Sequence, residues 1–299
     1  TVTQRVLATF VGGFIYSLSA VILFRARYYT PEGALAVFGL TIIVVILIVG
    51  AILRWIDHLS SLGSMDHTLR LIENRTRASL RTRVKKPCLG GLCAREDAKP
   101  EDAVDIPAAQ SGFVRYAGLA QLNELAAEAG TQITLARAPG QYILRGQPVA
   151  WATGGGSKFR KTASAAIDIG DVRSFDQDPS FGLTLLAETA QKALSPGVND
   201  PGTAVEVMGR LERLLWENTP ADETSDAREA AYPNVCIPPV TAQHLLACAF
   251  PPIARCGSEP PSVMRWMEKS LDALGEHPNP EMAKAAKEMC QELKDGSWG

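Results

Sequence analysis

Two apolar runs near the start of the chain constrain it more than any other feature. Val6 to Phe24 is 19 residues and Gly33 to Leu53 is 21, and neither contains a charged side chain. At about 1.5 Å of rise per residue each forms a helix of about 28–31 Å, the thickness of a bilayer's hydrocarbon core. A helix packed in a soluble core keeps a solvated face, and these runs leave none. A cleaved leader also fits poorly, because there are two runs and neither ends in a small-residue cleavage site. Residues 1–56 are therefore expected to form a transmembrane α-helical hairpin, with spans at about 6–24 and 33–53. The first run begins within five residues of Thr1, so the hairpin reads as a fragment of a larger helical membrane domain with further spans ahead of it.

The absence of ionisable groups inside either run counts against proton relays and gating charges built from these helices. Gly12, Gly13, Ser17 and Ala20 punctuate the first run. In lipid such small residues mark helix–helix contacts, here either within the hairpin or between subunits. Trp55, Tyr28 and Tyr29 are placed to anchor at headgroup level.

Composition enters as a warning. A formal net charge of −2 and a mean hydropathy of +0.02 suggest an ordinary soluble enzyme. Resolved along the chain, the charge is +2 over residues 1–53, +5 over 54–86 and −9 over 87–299. The basic collar after the second run, outweighing Arg25 and Arg27 in the connecting loop, places everything beyond residue 54 in the cytoplasm by the positive-inside rule.

Residues 57–86 read as a basic cytoplasmic helix. Arg75, Arg77, Arg81, Arg83, Lys85 and Lys86 are its candidate lipid-headgroup contacts, each worth about 1 kcal/mol near an anionic leaflet. The alternative is a merely solvated basic face; nucleic acid is not an expected partner. Residues 87–111 read as a linker. Cys88 and Cys93 in it are spaced C-x4-C, but no histidine or second close cysteine pair accompanies them. In a reducing cytoplasm they are expected to be incidental loop thiols rather than a metal site or a disulfide.

A small α+β unit is expected over 112–172. GFVRYAG and QITLARA read as strands, Leu119–Ala129 as a helix burying Leu119, Leu122, Leu125 and Ala126, and PGQYILRGQPVAW as two short strands around an Arg-Gly turn. The GGGS run at 154–157 lacks the Lys-Ser/Thr of a phosphate loop and reads as a connector.

Residues 173–299 read as a helical cytoplasmic domain. Asp178-Pro179 and Asp200-Pro201 each set an N-cap acid before a proline suited to a first turn, opening helices Pro179–Leu194 and Pro201–Asn218. Arg173, Asp176, Asp178, Asn199 and Asp200 form a candidate polar cluster, which either binds a ligand or only caps helices and fixes turns. Ser195 has no paired base or oxyanion arrangement and is not a candidate nucleophile. Further helices are expected at Val240–Ala254, Ser262–Leu274 and Pro280–Leu293, with His244 as a partly buried core histidine and Thr219–Pro233 as an exposed loop.

The order of two spans, a basic helix, GFVRYAGLAQLNELAAEAG, the PGQYILRGQPVAW hairpin and RSFDQDPSFGLTLLAETAQKALSPGVNDPGTAVEVMGRLERLL resembles the bacterial membrane proteins grouped as domain-of-unknown-function family 2254. The match covers nearly all of the chain, and R-[ST]-F-x-Q-D-P-x-F-G…A-L-S-P-x-x-N-D-P-x-T-A is its most specific part. Members usually carry further N-terminal transmembrane helices. The resemblance implies a multi-pass protein of the bacterial cytoplasmic (inner) membrane and implies no activity. The CLGGLC loop and the charged insert near 219–231 depart from the family pattern.

The expected fold is thus a membrane hairpin followed by an α+β cytoplasmic domain that ends in an all-α part. The expected function is an oligomeric, channel-like or transport-related membrane protein with a cytoplasmic assembly or regulatory domain. The alternative is a membrane-anchored sensor or scaffold that binds a partner or small ligand. No catalytic motif, cofactor or metal site is expected; the expected partners are the lipid bilayer, further copies of the chain and another membrane protein.

Overall fold

The computed structural model describes residues 2–26, 30–62, 65–94, 99–100, 102–220, 230–256 and 261–296. The chain divides into two compact units, residues 1–70 and 71–299.

The first unit is built on helices α1 (Val2–Arg25) and α2 (Pro31–Leu62). Within them Gln4–Arg25 and Gly33–Ile56 are long and apolar enough to cross a membrane. The two helices pack along one seam. Its shielded positions on α1 are Val6, Thr9, Gly13, Tyr16 and Ala20, and those on α2 include Val37, Thr41, Val44 and Ile48. Steps of three and four residues are those of a heptad seam. Gly13 lets the helices approach there: a Cβ at that position would lie 2.6 Å from Ile48 Cδ1, so a larger residue would push the Ile48 side chain aside. Tyr16 Oη donates to the Val37 carbonyl at 3.0 Å and lies 3.0 Å from Thr41 Oγ1, so its hydroxyl is satisfied inside the hairpin. The small-residue stripe therefore divides: Gly13 and Ala20 serve the seam, whereas Gly12 and Ser17 face outward. Tyr28 and Tyr29 lie outside the described residues.

Helix α3 (Met65–Lys85) runs into the second unit. A five-stranded mixed sheet there contains β1 (Gly91–Cys93), β2 (Val104–Pro107), β4 (Ile133–Leu135), β6 (Pro148–Ala152) and β8 (Tyr232–Ile237). Its order is β1-β8-β4-β6-β2, with β8 parallel to both neighbours and the β4–β6 and β6–β2 pairs antiparallel. A second, antiparallel sheet has the order β5-β3-β7, from β3 (Gly112–Ala117), β5 (Tyr142–Ile143) and β7 (Ile167–Gly170). Helices α4 (Leu119–Glu128) and α5 (Ser157–Ala165) complete this part, whose core includes Ile106, Leu122, Ile133, Ile143, Val149 and Val235.

The remainder is helical: α6 (Pro179–Leu194), α7 (Pro201–Glu217), α8 (Ala242–Ala249), α9 (Pro251–Cys256), α10 (Pro261–Leu274) and α11 (Pro280–Lys294). Helix α6 packs on α7, α8 and α9, and α10 packs on α7 and α11. Leu183, Leu186, Met208, Leu211, Leu214 and Phe250 are fully buried.

Three expectations need correction. Residues 87–111 are more than a linker: a 3-10 turn at Pro87–Gly90 leads into β1, and β2 follows at 104–107. Both strands are short and lack a clean alternation, so only pairing partners far along the chain stabilise them. The C-terminal part is not all helical, since Tyr232–Ile237 forms β8 between β1 and β4. The expected helix at 240–254 breaks at Phe250, because Pro251 and Pro252 cannot donate to the preceding turn. The charged insert at 221–229 lies outside the described residues.

Cys88 and Cys93 are also not free loop thiols: they form a disulfide. The 3-10 turn brings their Cα atoms to 5.5 Å, which the spacing alone did not require.

Candidate functional site

The Arg173–Gly182 segment is the structural hub of the second unit. Asp178 caps α6, its carboxylate accepting from the Phe181 amide at 3.1 Å. The same carboxylate takes a hydrogen bond from Arg173 Nε at 2.8 Å and one from the Ser180 hydroxyl at 2.7 Å. Asp178 is 2% exposed, so this charge is sustained by ion pairing rather than by water. Its carboxylate lies over Gly140, where the backbone sits at a φ of +98° and an added Cβ would collide with Asp178. Arg173 also reaches Ser180 Oγ at 2.9 Å and sits over the Phe181 ring.

Gln177, buried beside it, clamps β3. Its Oε1 accepts from the Ala117 amide at 2.8 Å and its Nε2 donates to the Ala117 carbonyl at 3.0 Å. Sequence reasoning missed Gln177, although it sits inside the signature; an amide flanked by a capping acid was the available signal. Phe175 and Phe181 pack ring to ring at 4.9 Å.

The five polar candidates do not meet in one place. Asp178 lies at the start of α6, whereas Asn199 and Asp200 follow its end, about 24 Å of helix away. Asp200 is exposed and caps α7: it accepts from the Thr203 amide at 3.1 Å and the Thr203 hydroxyl at 2.6 Å. The Thr203 hydroxyl and amide hold its carboxyl below the usual range. Asn199 supplies the left-handed turn before it, at φ +47°. Asp176 is exposed and accepts from the Ser174 hydroxyl at 2.8 Å. Only Arg173 and Asp178 make a buried site together.

Part of the basic collar turns inward. Glu73 on α3 is 5% exposed and receives Arg210 Nη1 at 2.8 Å, Arg213 Nη2 at 2.6 Å and Arg77 Nη2 at 2.8 Å. Burial raises the Glu73 carboxyl, but Arg213, Arg210 and Arg77 together pull it below its ordinary value. Arg77 also pairs with Glu217 at the end of α7, and Arg81 Nε donates to Asn218 Oδ1 at 3.2 Å. Arg83 donates to the Gln177 carbonyl at 3.3 Å through Nη2. Its Nε and Nη1 are shut off from solvent without a hydrogen-bond partner among the described residues, as is Ser79 Oγ one turn earlier. Burial pushes Arg83 down to about 10, with the nearby Asp178 opposing the shift. Arg77 and Arg83 thus bond within the second unit, while Arg81, though it reaches Asn218, stays exposed. Arg75, Lys85 and Lys86 remain exposed.

His244 is exposed rather than core, and its Nε2 lies 3.7 Å from Cys248 Sγ. Among the described residues, His277 is the buried histidine. Its Nδ1 accepts from the Asn279 amide at 2.9 Å, which leaves Nε2 to donate to the Trp216 carbonyl at 3.2 Å. Among the described residues no group of three or more His, Cys, Asp or Glu side chains is placed to hold a metal ion.

A family model described as "Predicted membrane protein (DUF2254)" matches residues 1–273. The chain belongs to this family. Similar proteins include the uncharacterised protein Rv1290c of Mycobacterium tuberculosis strain H37Rv, 31% identical over 189 residues, which are 60% of this chain and 36% of that protein. The uncharacterised protein Mb1321c of Mycobacterium bovis matches with the same identity and coverage. The chain spans about a third of the length of these curated relatives. No solved structure matches it. The family model takes in both candidate spans and the whole Arg173–Ala204 signature.

Proposed function

We propose that the chain is part of an oligomeric, channel-like or transport-related protein of the bacterial inner membrane, with a cytoplasmic body that assembles and regulates the membrane part. The observation that carries this reading is the division of each span into two faces. One face closes the hairpin seam. The other presents large apolar side chains such as Phe14, Ile15, Phe38 and Ile46, and also Gly12, Gly39 and Gly50, where an added Cβ would meet nothing within 4 Å. In lipid, such open glycines are where neighbouring helices approach closely. Membership in a family of predicted membrane proteins supports the setting, and the basic collar supports the cytoplasmic side. The regulatory role rests on the Glu73 lock, which fastens the first helix after the hairpin to α7.

Purified protein in detergent should have the mass of an oligomer, and proteoliposomes should pass ions or small solutes. A monomer that leaves sealed vesicles impermeant overturns the proposal.

A second reading, a membrane-anchored sensor for an anionic small ligand, is favoured by Arg83. A guanidinium held out of solvent with two unpartnered nitrogens is costly unless something occupies them. A thermal-shift screen of inorganic phosphate and small carboxylates decides it. A shift abolished by Arg83→Met supports a sensor, and no shift with any of them dismisses it.

A further inference from the structure

We propose that Cys248 is a reactive thiol, activated by His244, that undergoes S-thiolation by low-molecular-weight disulfides.

The four free cysteines of the chain have different surroundings. Cys290 is buried and lies 3.3 Å from Asp272 Oδ1, and burial and that carboxylate push its thiol up. Burial likewise pushes up Cys236, within β8. Cys256 is exposed, with Gln191 Nε2 3.8 Å from its sulfur.

Cys248 is the one of the four that is paired with a histidine. On α8 it follows His244 by one turn, and this i,i+4 spacing sets Sγ 3.7 Å from Nε2. From α6, packed against α8, Thr184 acts to lower this thiol, and from the loop before α6 the Arg173 guanidinium adds positive charge. Burial acts to raise this thiol, yet His244, Thr184 and Arg173 outweigh it and hold the group below its ordinary value. Thiolates rather than thiols are nucleophiles, and a cationic, partly accessible setting is what activates them. Cys248 is half-buried and His244 is exposed, so a small reagent can reach the pair.

The chemistry balances without a further reactant. The thiol proton passes to His244 Nε2, and the Cys248 thiolate attacks one sulfur of the disulfide R–S–S–R. The Cys248 S–S bond forms as the R–S–S–R bond breaks, and the departing thiolate takes the proton from His244. There is no net oxidation: one disulfide is exchanged for another and one thiol is released. The adduct then sits beside Thr184, whose Oγ1 is 3.5 Å from Arg173 Nη1. Arg173 is the cation that holds Asp178 at the head of α6, so modification at Cys248 is felt at the hub.

The test uses the full chain in detergent, 4,4′-dithiodipyridine as the disulfide probe, and mass spectrometry to assign the modified cysteine over a range of pH. Lowering a thiol's pKa by one unit raises its thiolate fraction about tenfold below the pKa and lowers its nucleophilicity about threefold, so the net gain is about threefold. At pH 6, Cys248 should therefore react faster than Cys256, by about threefold for each unit that it lies below the ordinary thiol value, although Cys256 is more exposed. His244→Gln, an exposed substitution, should slow Cys248 by a similar factor and move its pH–rate inflection upward while leaving Cys256 unchanged. Equal or slower labelling of Cys248 than Cys256 in the unsubstituted protein overturns the proposal, and this comparison requires no variant. A Cys248 profile unmoved by His244→Gln overturns the role of the histidine.

Discussion

Arg210 on α7 donates to Glu73 on α3 at 2.8 Å, with side-chain exposures of only 10% and 6%. Arg213 and Arg77 complete the coordination of the same carboxylate. Removing one partner of a buried pair leaves the other charge uncompensated, at a cost of about 3–5 kcal/mol. Glu73→Gln should destabilise the second unit by about that amount in chemical denaturation. Loss of less than about 1 kcal/mol would show that solvent already carries these charges.

The same carboxylate sets an acid limit. Because its folded pKa lies below the ordinary value of 4.5, the unfolded chain binds the proton more readily. The stabilisation is fully present above about 4.5 and is lost as pH falls through the lower, folded value. Denaturation midpoints of the native protein should fall over that acid window, and the part of the fall due to Glu73 should be missing in Glu73→Gln.

Gly182 and Thr76 are in direct opposition, since a Cβ at Gly182 would overlap the Thr76 side chain. Helix propensity favours Ala over Gly by about 1 kcal/mol, but overpacking costs about 1–3 kcal/mol, so the clash decides the sign. Gly182→Ala should lower the melting temperature. Adding Thr76→Ala should recover only part of the loss: it removes the hydroxyl, which bonds the Ile72 carbonyl of its own helix, but leaves the residue 76 Cβ 2.8 Å from the added Cβ.

The two Asp-Pro steps should separate sharply. Asp200 is exposed, so Asp200→Ala removes a cap worth about 1 kcal/mol. Asp178→Ala removes a cap and strands Arg173 in a largely buried site, which should cost about 3 kcal/mol or more. Equal losses on thermal unfolding would refute the distinction between a surface cap and a buried hub.

Cys88 and Cys93 test the proposed orientation. A cytoplasmic body keeps its thiols reduced in the cell, and the bridge then closes only on exposure to oxidant. Rapid alkylation of intact cells before lysis should trap both as thiols. Recovery of the bridged pair under that quench would place the body on the oxidising side.

The legible parts were those whose signal is local. Two charge-free runs announced the hairpin helices, and Asp-Pro before an apolar stripe located α6 and α7 at their N-termini. Turn chemistry likewise announced the strands around Arg145-Gly146. In each case neighbours in sequence supply the hydrogen bonds and the buried face. What stayed hidden depends on distant partners. β8 is a strand because β1 and β4 flank it, and Cys88 meets Cys93 because a 3-10 turn folds between them.

The distribution of charge was readable at once, but its destination was not. Sequence alone determined that a basic collar follows an apolar hairpin and that two acids cap two helices. Only tertiary structure decided that Arg77 pairs with Glu73 and Glu217 and that Arg83 reaches the Gln177 carbonyl. It also decided that Asp178 is buried while Asp200 is not, and that His244 meets Cys248. A charge in sequence has a sign and a neighbourhood of a few residues, whereas its energy is set by burial and by partners that folding brings from elsewhere in the chain.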